Sequence, residues 1–340
     1  MADSGIPMPF IWRRLHSLMG VFLVLFLFVH LLTNSQAALW VGDDGKGFIQ
    51  EVNLIHSLPY LKVIEIFFLA VPFAIHMLWG LHYLFTSKHN VLPTDGSSPA
   101  LGKYRRNRAY TLMRLTSWLL LVGVIAHVIH MRFIEYPWAA EVGDQHYYMN
   151  VVSMDQGLYT VAARVGVELY DQKRIQEKAA SIRPDSSSEV EKTPQERGMA
   201  LAGFGTLEGT NSTEYDPAQA QRLIGLQEIQ QERGFVEALQ KKPLNPDQVV
   251  VVAKDFGTVS LFIVRDAFKS PLMVALYSLF VLAASFHAFN GLWTSLISWG
   301  VTLTPRSQNL ARLVTTGLMV LVAFLGLIAS VGTYWMNLKH

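Results

Sequence analysis

The stretch PLMVALYSLFVLAASFHAFNGLWTSLISW, residues 271–299, decides what kind of molecule this is. It holds no Asp, Glu, Lys or Arg, and its one histidine, His287, lies near the middle. An apolar run of about 18 residues or more is long enough to cross the hydrocarbon core of a bilayer as a helix. Working outward, four more blocks have the same character: Leu15–Trp40, Tyr60–Thr86, Thr111–Phe133 and Leu310–Trp335. The expected fold is therefore an all-α membrane protein with five transmembrane helices.

Composition agrees. Of the 340 residues 51% are hydrophobic and 16% are charged, where a soluble domain carries about a quarter charged residues. The net charge of +2 argues for no nucleic-acid partner. There are 0 cysteines, which excludes iron–sulfur clusters held by this chain, covalent c-type haem, thiolate zinc sites and disulfides. Redox chemistry here would have to run on a non-covalently held cofactor, with histidine as the ligand left.

Basic residues set the expected orientation. Arg13 and Arg14 precede the first block, Lys88, Lys103, Arg105, Arg106 and Arg108 lie between the second and third, and Arg306 lies between the fourth and fifth. Asp43, Asp44 and Glu51 outweigh Lys46 between the first two. The positive-inside bias puts the amino terminus and both basic loops in the cytoplasm, with the acidic loop and the carboxyl terminus outside. A rival reading takes the twin arginines, the apolar run and the small residues around Ser35–Ala38 as a cleaved export signal. That run is long for a signal core, and it holds His30.

The chain then divides into residues 1–134 with three spans, a soluble extracytoplasmic insertion at 135–265, and residues 266–340 with two spans. Within the insertion, Asp171–Glu214 is polar and includes the Pro/Ser/Glu-rich patch Arg183–Arg197, which reads as a flexible loop. Asp216-Pro217 is a helix start, and Leu223, Leu226, Ile229, Phe235 and Leu239 give the following stretch an apolar face. Val249–Val252 reads as a short buried strand. Asn211-Ser212-Thr213 fits a glycosylation sequon of a pattern short enough to be fortuitous. The fragments Tyr159–Val161 and Gly257–Val259 are too brief to count as a repeat.

Histidines recur inside the spans: His30 in the first, His76 in the second, His127 and His130 in the third, His287 in the fourth. An ionisable group inside a membrane is costly and is a functional candidate by default. One such histidine can be satisfied by a neighbouring hydroxyl or carbonyl; one in each of four successive spans is harder to explain that way. A helix rises about 1.5 Å per residue, so His30 lies about 24 Å beyond the cytoplasmic arginines, in the outer half. The same count puts His127 in the outer half and His76 and His287 in the inner half. Opposed histidines at matched depth can clamp one planar macrocycle from both faces, pairing His30 with His127 and His76 with His287. Two axial histidines leave no open iron position, which suits electron transfer. Gly20, Gly80, Gly123 and Gly291 could admit a flat ring, or could serve ordinary close helix packing. His130, one turn beyond His127, competes for the outer role. His82 is turned away from the face of His76, and His56, His89, His146 and His340 lie in loops or at the end.

Several stretches resemble the single-chain cytochrome b558 subunit of succinate:menaquinone oxidoreductases. They are Arg13 to Gly20 (RRLHSLMG), Ser57-Leu58-Pro59 with Ile64-Glu65-Ile66-Phe67, His127-Val128 with Arg132, and above all Phe286-His287, Asn290 to Thr294, Trp299-Gly300 and Thr304 to Gln308. The resemblance covers the five spans and leaves out the insertion. It implies a four-helix bundle around two haem b groups, with His30, His76, His127 and His287 as axial iron ligands and His127 preferred over His130. It places His16 and Ser17 near the propionates of the inner haem. It further implies a flavoprotein and an iron–sulfur subunit on the cytoplasmic face of the inner membrane, which carry out succinate oxidation. Menaquinone would be reduced near the outer surface, and a homo-oligomer of the whole complex stays open. Glu51 and Glu65, near the outer end of the second span, are candidates for quinone protonation, or else solvated interface residues.

Two rivals remain. A di-haem anchor of another respiratory dehydrogenase would share the histidines but not the Arg14-to-Ser17 and Arg306-to-Gln308 stretches. A transporter with a histidine proton relay would hold no haem and show no visible absorption.

Overall fold

The computed structural model describes residues 6–38, 44–86, 91, 100–182 and 217–339. Asp43, Lys88, His89, the Arg183–Arg197 patch, the Asn211 sequon, Asp216 and His340 lie outside the described residues. In chain order the helices are α1 (Met8–Ser35), α2 (Lys46–His56), α3 (Leu61–Thr86), α4 (Arg105–Ile134), α5 (Gln156–Val165), α6 (Gln172–Ser181), α7 (Pro217–Leu239), α8 (Phe256–Ala267), α9 (Pro271–Ser298) and α10 (Pro305–Leu338). Five of them, α1, α3, α4, α9 and α10, are long and apolar enough to cross a membrane.

The spans start earlier than hydropathy alone suggests where polar residues open the helix. Thr304 caps α10 by accepting from the Ser307 amide at 3.1 Å, and Pro305 takes the first turn, where its missing N–H costs nothing. Ser270 caps α9 in the same way, and that helix begins at Pro271, where the apolar block begins. At the other end of the first span, α1 stops at Ser35 rather than at Trp40, and Gln36 begins a turn whose side chain bonds Glu51. The expected acidic loop contains the short helix α2, whose Phe48 is buried.

One compact unit comprises residues 1–136 and 260–340. Its cross-contacts fix the helix directions. Arg14 near the start of α1 donates to the carbonyl of Ser298 at the end of α9, so α1 and α9 are antiparallel. Glu65 near the start of α3 meets Arg132 at the end of α4. The starts of α4 and α10 meet through Arg106 and Gln308 at 3.2 Å. Wider π-type turns interrupt α3 at Ile66–Ala70, α4 at Ile129–Ile134 and α10 at Ile328–Gly332. Antiparallel order brings those in α3 and α4 to the same end, the one away from Arg14.

The second unit, Pro137–Val259, carries an antiparallel sheet of β1 (Trp138–Val142), β2 (Gln145–Ser153), β3 (Glu168–Tyr170) and β4 (Gln248–Ala253), in the order β1-β2-β4-β3. The Val249–Val252 run is the inner strand β4, with Val151 opposite Val250 and Leu169 opposite Val251. All four valines are buried, as a strand covered on both faces requires. The amphipathic reading of α7 fits: Phe235 and Leu239 enter a core with Trp138, Met149, Tyr170 and Val250, and the Trp138 indole donates to the Ala238 carbonyl at 2.9 Å. The polar stretch from Asp171 is not loop throughout. Asp171 accepts from the Arg174 amide at 2.7 Å and opens α6, whose Ile175 is buried in the same core. The fragments Tyr159–Val161 and Gly257–Val259 both lie in helices that an aspartate caps, Asp155 for α5 and Asp255 for α8. Burial pushes the Tyr170 phenol up to about 12, and its hydrogen bond to Glu168, 2.6 Å long, works in the same direction.

Candidate functional site

The spans bring four of the histidines together as two pairs. His30 of α1 and His127 of α4 have ring centroids 5.9 Å apart, and His76 of α3 and His287 of α9 are 6.2 Å apart. Metal–imidazole bonds run about 2 Å for zinc, and two of them plus the two ring half-widths come to roughly 6 Å. Each pair is thus spaced to share one metal ion between its rings. Among the described residues no three His, Asp or Glu side chains converge as a metal site, so each pair offers two ligands. That is the number a porphyrin iron needs along its axis. The donor set fits a haem.

Hydrogen bonds at the second ring nitrogen decide which nitrogen stays available. The Nδ1 of His76 lies 3.0 Å from the backbone oxygen of His16. A carbonyl only accepts, so Nδ1 carries the proton and Nε2 keeps its lone pair. The hydroxyl of Thr116 donates to the Leu112 or Met113 carbonyl of its own helix, at 2.9 and 3.0 Å. Its oxygen therefore accepts from Nδ1 of His287, 3.3 Å away, and Nε2 is again bare. In the other pair, Nδ1 of His127 is 3.1 Å from the hydroxyl of Tyr277. The Asn34 amide donates to the His30 carbonyl at 2.7 Å and lies 3.5 Å from His30 Nδ1, at the limit of a hydrogen bond. The first pair is held in a metal-binding tautomer by backbone carbonyls of neighbouring helices, His16 for His76 and Met113 for His287, and by a committed hydroxyl; the second is held more loosely.

Sequence reasoning missed Thr116 and Tyr277, yet a signal was present. Thr116 stands eleven residues before His127 on α4, about 16 Å along the axis, at the depth of the His76–His287 pair. Tyr277 stands ten residues before His287 on α9, at the depth of the other pair. A polar residue three turns from one histidine was a candidate partner for the other pair.

His16 stacks face to face on His76, with centroids 4.0 Å apart and planes 11° from parallel. Its Nδ1 is buried with no hydrogen-bond partner among the described residues, the kind of group that needs an explanation. Ser17 donates to the Ser295 hydroxyl at 2.8 Å and accepts from the Trp299 indole at 3.2 Å. His16 thus adjoins this pair, whereas Ser17 ties α1 to the end of α9. Gly20 faces the His76 ring and Gly80 faces His16, so these two glycines make room for imidazoles. Gly123 is covered by Phe280 and Gly291 approaches Met113, which is close helix packing rather than an opening.

Glu51 accepts from Thr33 at 2.6 Å and from Gln36 at 2.7 Å, just past the His30 end of α1. Glu65 pairs with Arg132 at 2.8 Å, and the Arg132 guanidinium lies over the Tyr136 ring. His130 sits on the wide turn of α4, outside both pairs, with a buried Nδ1 that has no hydrogen-bond partner among the described residues. His82 lies against Trp79, His146 pairs with Glu141 on the β1–β2 hairpin, and His56 ends α2.

Compared with known proteins, the chain is similar to the succinate dehydrogenase cytochrome b558 subunit of Bacillus subtilis (strain 168), with 23% identity over 319 residues. The match spans 94% of this chain and 94% of that protein. No family model and no solved structure matches the chain.

Proposed function

We propose that this chain, which resembles a succinate dehydrogenase cytochrome b558 subunit along nearly its whole length, is the di-haem cytochrome b membrane anchor of a succinate dehydrogenase. The observation that carries the reading is the double pairing of intramembrane histidines at about one-metal spacing, with Nε2 left bare in at least one pair. When bound, two b haems would supply one-electron carriers between an iron–sulfur subunit on the cytoplasmic side and menaquinone on the outer side. His76 and His287 would hold the inner group and His30 and His127 the outer one. The His16 carbonyl and Thr116 orient the inner ligands, and Asn34 and Tyr277 the outer ones.

The arginine-rich ends, Arg13, Arg14, Arg105, Arg106, Arg108 and Arg306, would face the cytoplasm, where the flavoprotein and iron–sulfur subunits dock. The insertion, residues 135–265, would then lie outside. Glu51 and Glu65, at the outer ends of the spans, would serve quinone protonation. Thr33 and Gln36 hold the Glu51 carboxylate in place, and Arg132 holds that of Glu65. Proton uptake on that side, opposite the side of electron arrival, would link the reaction to the membrane potential at about 2.3 kcal/mol per charge per 100 mV.

The test is a set of four single variants of the purified complex. His76→Ala and His287→Ala are expected to lose the same haem, and His30→Ala and His127→Ala the other. An inner variant that keeps both haems with unchanged spectra would overturn the pairing.

A further inference from the structure

We infer that Tyr277 is a positioning residue that tunes the outer haem through His127, an inference that rests on the di-haem reading above. The Tyr277 ring is packed edge-on against Phe268 at 5.2 Å and close to Phe280 at 6.2 Å, neither of which can form a hydrogen bond. Its hydroxyl has one polar partner among the described residues, His127 Nδ1 at 3.1 Å. Once Nε2 of His127 binds iron, Nδ1 carries the ring proton, so the phenol oxygen accepts from it. An acceptor at Nδ1 raises the basicity of the ligating nitrogen, and the more basic ligand favours ferric over ferrous iron. The two groups are served differently. The His16 carbonyl serves His76, Thr116 and the Met113 backbone serve His287, and the outer pair has Tyr277 and a marginal Asn34 contact. Tyr277 is therefore the group through which the outer pair is tuned at His127.

Y277F keeps the ring between its neighbours and removes only the acceptor. In a redox titration of the purified complex followed by visible absorption, the outer haem midpoint is expected to rise by up to tenfold in the reduced-to-oxidised ratio, about 59 mV for one electron. The inner midpoint should stay put. T116V is expected to move the inner midpoint upward instead and leave the outer one. If Y277F loses the outer haem, 3-fluorotyrosine at the same position keeps the shape with a weaker acceptor, and it should give a smaller shift of the same sign. Two bound haems with both midpoints unmoved in the tyrosine-substituted protein would overturn the role of Tyr277 alone. A shift of the midpoint that T116V also moves would do the same. A wild-type complex with fewer than two haems would instead sink the di-haem reading.

Discussion

Gly20→Ala adds one methyl group where the structure has no room for it. An alanine Cβ at this position would stand 3.0 Å from Cε1 and 3.2 Å from Nδ1 of His76. Carbon atoms pack best at about 3.5–4.0 Å, so the imidazole must retreat by about half an ångström. It cannot do so freely, because Nδ1 is bonded to the carbonyl of His16, one turn before Gly20 on α1, and the ring is stacked on the His16 imidazole. A site held to about 0.5 Å tolerates little of this, and disturbing a ligand's orientation costs about 10–100-fold in metal affinity. That factor corresponds to about 1.4–2.8 kcal/mol. Alanine is also a better helix former than glycine by about 1 kcal/mol, so a weakened helix cannot explain the loss. Haem b per polypeptide, measured on the purified complex through successive dilutions, should fall from two toward one. The surviving spectrum should match that of H76A. Two tightly held haems with wild-type midpoints would refute the argument that Gly20 exists to seat His76.

Three further outcomes are expected. E51Q should keep both haem spectra while quinone reduction falls at least tenfold, and an unchanged rate would remove Glu51 from the proton path. Asp255→Ala takes away the acceptor for the Thr258 amide and should destabilise the insertion by about 1 kcal/mol, read as a roughly fivefold faster proteolytic cut within residues 137–259. A rate equal to wild type would show that the cap contributes nothing. The folded insertion keeps the Tyr170 proton up to about pH 12, whereas an unfolded chain loses it near 10. Stability from this group is therefore present below pH 10 and declines between pH 10 and 12, and Y170F should abolish that part of the alkaline loss. An alkaline profile that Y170F leaves unchanged would assign the loss to other groups.

The spans and the pairing of histidines were legible because both follow from one-dimensional quantities. Apolar run length gives the helices, and a fixed rise per residue converts the sequence positions of His30, His76, His127 and His287 into depth. The contacts that hold those rings were not legible in the same way. The oxygen of Thr116 and the ring of His287 stand 171 positions apart, and those of His127 and Tyr277 150 apart, so their meeting is a property of helix packing. The choice between ring opening and close packing at the glycines stayed open for a related reason. Gly123 carries no signal that Phe280 fills the space, whereas Gly20 and Gly80 do face imidazoles. In the insertion the four-valine strand announced itself by burial on both faces. The β1–β2 hairpin was not read although its signals are present: Trp138, Ala140 and Val142 alternate with exposed Ala139 and Glu141, and the turn rests on Gly143, whose φ of 60° places it in the left-handed region that glycine adopts freely. The helix α6 was masked by polar composition, since Ile175 alone of its residues is buried.

The measurement that bears most directly on the central claim is haem b per polypeptide in the complex purified from membranes, with a redox titration of its reduced spectrum. The account predicts two b haems per chain with separate midpoints. A folded preparation with no haem would contradict it and favour a histidine proton relay, and a single haem would mean that one of the two pairs does not bind.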